Sequence, residues 1–164
     1  MANQNMTNIA LVEGTPPQSA NTFAGGTSEI VAVDTMEVTA LSTDDTVVLF
    51  RIPVDAKVTE LALGCDDLAS TSITIDLGLY EGGTAGATAV DDDCFATAVD
   101  VDGGVAITDY RFEAAGIETI DQPAWEVAGL SARPSYGTFD VVLHADGVSG
   151  GTTGTVSSRI RYVI

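Results

Sequence analysis

The chain has few side chains suited to chemistry, and their spacing limits what they can do. It contains one histidine, His144, and two cysteines, Cys65 and Cys94. A catalytic triad needs a nucleophile, a base and an orienting acid held together. His144 stands between Leu143 and Ala145 on the polar parity of an alternating run, and the G-x-S-x-G match of the chain, Gly147 to Gly151, falls in a glycine-rich hairpin loop without the strand-to-helix turn that a nucleophile elbow needs. It reads as a surface or interface residue. Neither cysteine lies in a recognisable catalytic context. Cys65 shares the parity of Leu61 and Leu63 and should face the core, whereas Cys94 is out of step with Phe95 and should face the other way. Two cysteines do not make a disulfide framework, and two free thiols made in a reducing compartment are favoured over a bridge.

The carboxylates come in runs: Asp44-Asp45, Asp66-Asp67 and Asp91-Asp92-Asp93. Such runs offer oxygen ligands to Ca²⁺. None has the spaced aspartates of a calcium loop, so solvated acidic loops are the expectation. Gly82-Gly83-Thr84-Ala85-Gly86 lacks a lysine and a following helix, and is no phosphate loop. Sequence alone leaves paired carboxylates for glycoside hydrolysis open. A carbohydrate site would usually need exposed aromatics, and only Trp125 and a few tyrosines are available. No catalytic, cofactor-binding or metal-binding residue is expected, and the chain reads as a structural or binding module, not an enzyme.

Composition narrows the partners. The chain has 164 residues, 45% of them hydrophobic and 6% aromatic, with 17 glycines. One domain is expected, with Ala, Val, Ile and Leu filling most of its core. Twenty-four acidic residues against 6 basic ones give a net charge of −18, and Lys57 is the single lysine. Such a surface repels phosphate backbones and anionic lipid, which argues against nucleic-acid and membrane partners. It also fits a protein adapted to high salt, where a Debye length of roughly 3 Å at 1 M screens self-repulsion. An acidic domain from an ordinary host fits equally well. No stretch is long and apolar enough to span a bilayer. The start of the chain has no basic segment followed by an apolar core, so no secretory signal is expected there.

The elements that must position these residues are strands. Ile73, Ile75, Leu77 and Leu79 alternate with Thr74, Asp76, Gly78 and Tyr80, a period of two. Phe95, Thr97, Val99 and Val101 repeat it more weakly after an exposed loop over 81–93. Phe139, Val141, Leu143 and Ala145 form another face, and Val156, Ser158, Ile160 and Tyr162 a last one, with Arg159 and Arg161 outward. The stretches 29–40, 46–52 and 58–65 add strands, with Pro53 ending a ladder. A short piece over 105–107 is a further candidate. Residues 110–120 are ambiguous between helix and coil. Pro123 to Leu130 reads as one short helix, with Pro123 in its first turn and Gly129 at its end. About eight strands at spacings of roughly 10–15 residues predict an all-β, antiparallel, jelly-roll-like β-sandwich.

Residues 1–28 are polar and broken, and the sandwich is expected over 29–164. A disordered tail is one reading of the first segment. The other, which Ile9, Leu11, Val12 and Phe23 favour as apolar anchors, is an extended arm lying on a neighbouring subunit.

Several runs carry a resemblance. Val48-Leu49-Phe50-Arg51-Ile52-Pro53-Val54-Asp55-Ala56-Lys57-Val58 resembles the arginine, proline and corner entry of small tailed-phage virion proteins. Ile75 to Glu81 followed by Asp93 to Ala96, Trp125 to Ser131, Tyr136 to Leu143, and Gly154 to Val163 continue it. The group is similar to capsid decoration (cement) proteins, which bind the outside of a capsid shell. The resemblance implies a jelly-roll-like body, a self-associated and often trimeric form, the major capsid protein as partner, no catalytic residues, and a place on the virion surface after synthesis in the host cytoplasm. Residues 1–28 lie outside it. Two rival classes remain: a receptor- or glycan-binding virion module such as a fibre head, and a β-sandwich hydrolase.

Overall fold

Alternation of apolar and polar residues builds two facing sheets, as a computed structural model shows for residues 3–5, 29–68, 72–83, 88–148 and 152–164. The strands are β1 (Asn3–Asn5), β2 (Ile30–Leu41), β3 (Thr46–Pro53), β4 (Lys57–Cys65), β5 (Ile73–Glu81), β6 (Ala89–Asp100), β7 (Val105–Asp109), β8 (Thr138–Val148) and β9 (Thr152–Val163). One sheet has the order β1-β3-β8-β5-β6 and the other β2-β9-β4-β7. Among these pairings β2 with β9, β3 with β8, β4 with β7 and β5 with β6 are all antiparallel. They nest like the two arms of one long hairpin. Lateral pairing of β4 with β9 and of β5 with β8 rolls that hairpin into two sheets. This is a jelly roll, an all-β sandwich of eight antiparallel strands. β1 adds a short parallel edge to β3, with Asn3 opposite Thr46.

The inward faces make one core. Leu49, Ile52, Leu61, Leu63, Ile73, Ile75, Leu77, Leu79, Phe95, Phe139, Val141 and Ile160 are all fully buried in it. The expected short helix is α1 (Ala124–Val127). Its first amides donate to the corner between β3 and β4, Ala124 N–H to the Ala56 carbonyl (2.8 Å) and Trp125 N–H to that of Val54 (3.3 Å). Trp125 and Leu130 pack half-buried against the core, which closes that end of the sandwich.

Three local expectations are corrected. Residues 89–93 are strand, not loop, because β6 begins at Ala89. Within β6 the register against β5 jumps from Leu77 opposite Ala96 to Leu79 opposite Asp91, so extra residues bulge out and parity is lost. For that reason Cys94 and Phe95 both join the core, and Cys94 does not face away. The bulge also explains Gly78: a side-chain carbon there would lie 2.2 Å from the Asp92 backbone, so only glycine fits. Finally, the ambiguous 110–120 stretch is a turn followed by a single 3-10 turn at Ile117–Thr119. Arg111 anchors it from inside the core, fully buried. Its Nε donates to the Val58 carbonyl (2.8 Å), and its other nitrogens donate to Thr119 Oγ1 (3.2 Å) and the Thr119 carbonyl (3.1 Å). The guanidinium lies near the Phe95 and Phe112 rings, 5.2 and 4.7 Å from their centroids.

Candidate interaction surfaces

Four places bring functional side chains together. The first is the outward face of the sheet containing β3, β8 and β5. His144 is opposite Asp76 across β8 and β5, with Nδ1 3.5 Å from the Asp76 Oδ2. Asp76 Oδ1 accepts the Ala98 amide at 2.7 Å, which ties the aspartate to the bulged strand β6. His144 thus lies on the outward face, as its parity predicts, but is mostly covered, with 16% of its side chain exposed. Across β8 and β3, Thr46 is opposite His144, so an acid, a base and a hydroxyl stand in one cross-strand row. On the same face Val48, Val142 and Tyr80 form a small buried apolar cluster. Burial, with the charges of Asp92 and Asp76 adding to it, pushes the Tyr80 phenol up to about 12.

The second place is the acidic run on β6. Asp91, Asp92 and Asp93 bring their carboxylates within 4.8 Å of one another. Partial burial, reinforced by Asp93, holds Asp91 above the usual carboxylate range. The other acidic runs serve the fold or the solvent. Asp45 is buried and accepts the Ser42 amide (2.9 Å), closing the β2–β3 turn, while Asp66 and Asp67 are exposed.

The third is the outward face of β2, β9 and β4. Val31 is opposite Arg161 and Val33 opposite Arg159. Glu60 holds both guanidiniums: Oε1 binds Arg159, and Oε2 lies 2.6 Å from Arg161 Nε. Arg161 also reaches Glu29 at 3.4 Å. The fourth is a groove of about 290 Å³ beside that face, lined by Gly64, Cys65, Asp66, Val105, Ala106, Ile107, Thr155 and Ser157. Its lining carries hydroxyls, one thiol and one carboxylate, and no aromatic ring.

Cys65 and Cys94 are free thiols on different sheets. Burial raises both above the usual thiol range, Cys94 the more strongly. The proposed arm anchors Ile9, Leu11, Val12 and Phe23 lie outside the described residues. No helix among the described residues is long and apolar enough to cross a membrane.

The fold has known counterparts. A chain of the capsid of Ralstonia phage GP4 superposes with a TM-score of 0.54 at 18% identity, covering 88% of this chain and 90% of that one. A chain of the cyanophage Pam1 capsid asymmetric unit gives a TM-score of 0.50 at 18% identity, covering 92% and 95%. Comparison with protein-family models finds no match, and neither does comparison with curated protein sequences.

Proposed function

We propose that this chain is a virion structural protein that binds the outside of a capsid shell and stabilises it, a decoration or cement protein. The observation that carries this reading is the correspondence with a chain of a phage capsid over 88% of one and 90% of the other. Near-equal coverage means the two chains are of nearly equal length, so the likeness takes in the whole jelly roll. The residues support a binding role. The buried ion pair Arg51–Asp140 joins two strands, and the buried Arg111 ties a turn to β4, so both serve the fold.

Physically, a cement protein performs no reaction. It binds the assembled shell and not its dispersed subunits, so it shifts the equilibrium toward assembly by mass action. Its partners on this reading are the shell's major capsid protein and further copies of itself. On this reading residues 1–28 form an arm whose start, β1, lies along β3 of the same chain and whose remainder adds contacts to a neighbour, raising the strength of attachment through effective concentration. The acidic surface keeps particles apart in suspension.

The test is co-sedimentation of purified protein with capsid shells lacking it, followed by electron microscopy of the pellet. Saturable binding with density outside the shell is expected. Protein that stays in the supernatant at every concentration would overturn the reading. Binding to a glycan array without binding to shells would favour a receptor-binding module instead.

A further inference from the structure

The outward face of β2, β9 and β4 differs in charge from the rest of the surface. Lys57, Arg159 and Arg161 project from it together with Glu37 and Glu60, and Glu29 reaches it from the residue before β2. Three cations meet three anions, so this face is neutral and the net −18 of the chain is carried elsewhere. Val31 and Val33 stand on it 50% and 59% exposed, in the same rows as the arginine stems. Those stems extend the apolar strip beyond the valines.

We propose that this sheet face docks a second copy of the same chain. Two bodies of charge −18 repel along most approaches. A neutral face is the approach on which that repulsion is least. The face is also self-complementary, because each copy presents both an arginine pair and glutamates. Arginine, which it carries twice, is enriched at interfaces, and the two valines supply its apolar part. Two strands of twelve residues and one of nine, about 4.8 Å apart and rising about 3.3 Å per residue, give a patch of roughly 500 Å². At roughly 1,000 Å² for the pair, that reaches the lower limit of a specific interface and fits a reversible association. Of the other exposed apolar residues, Ile117 and Ile120 lie among Glu113, Glu118 and Asp121, whereas Ile107 stands on β7 of the same sheet and lines the adjoining groove. The inference needs only the free protein and stands whether or not the chain binds a capsid.

Sedimentation equilibrium of the full chain in molar NaCl tests it. The wild type should self-associate, more tightly as salt rises. Val31→Glu/Val33→Glu should weaken association by about a hundredfold or more, since it buries four new like charges per pair of copies. Val31→Thr/Val33→Thr, which keeps β-branching, should weaken it by about tenfold and decides the matter if the glutamate pair fails to fold. Ile117→Glu should leave it unchanged. A wild type that stays monomeric throughout, a double variant that associates like the wild type, or an Ile117→Glu variant that dissociates equally would each overturn the proposal.

Discussion

Arg51 grips Asp140 with two parallel hydrogen bonds, Nε to Oδ1 at 2.7 Å and a terminal nitrogen to Oδ2 at 3.1 Å, across the β3–β8 ladder. The Asp140 side chain is fully buried and that of Arg51 is 9% exposed, although both point away from the sandwich core. A buried pair gains little over an apolar pair of the same shape, but losing one member strands a charge. Asp140→Ala should therefore cost roughly 3–5 kcal/mol in chemical denaturation. Replacing both residues by Met and Leu should recover most of it. A single substitution costing under about 0.5 kcal/mol, the size of a surface effect, would show that the pair is not buried in solution.

Leu77 is fully buried between the sheets. Leu77→Ala should cost about 2–5 kcal/mol in the same assay. A value near zero would mean that β5 turns its other face to the core.

All four tyrosines are held above the ordinary phenol value of 10, each chiefly by burial, with Tyr80 reaching about 12. A phenol whose folded pKa is raised favours the fold fully below the unfolded pKa. That contribution is lost as pH climbs through the folded value. Stability should thus fall from about pH 10 upward, most steeply between the unfolded and folded values, and level off as pH passes the folded value of Tyr80 at about 12. The tyrosinate absorbance of the native protein should rise at higher pH than that of the chain in urea. Superimposable titrations in the two states would refute this.

With 24 acidic and 6 basic side chains, the folded surface repels itself. The melting temperature should rise from low salt to molar NaCl as the Debye length shrinks to roughly 3 Å. A flat curve would remove adaptation to high salt as the reason for the composition and leave the fold untouched.

Much of the sandwich could be read from period-two spacing, because β5, β8 and β9 each bury one face and expose or pair the other. Ile75, Leu77, Val141, Leu143 and Ile160 sit where parity puts them. Parity fails at β6, where a bulge cannot be seen without its partner strand, so period-two spacing alone turns Cys94 outward. Parity placed His144 on the outward face, but its cover depends on Asp76 from a neighbouring strand and not on its own sequence neighbours. Arg111 was illegible for a different reason. A charged residue in a polar turn reads as exposed, and only the Val58 and Thr119 oxygens with the Phe95 and Phe112 rings make its burial tolerable. The neutral face of β2, β9 and β4 is likewise a property of three strands far apart in the chain. The outward arginines were visible in sequence, but their glutamate partners were not.

The claim that this jelly roll cements a shell is tested most directly by the stability of the shell itself. Capsids lacking the protein would be heated with and without a saturating amount of it, and the temperature of shell disruption recorded. The account predicts a rise that grows with protein concentration and levels off at saturation, as mass action requires. Shells that bind the protein yet break at an unchanged temperature would contradict it.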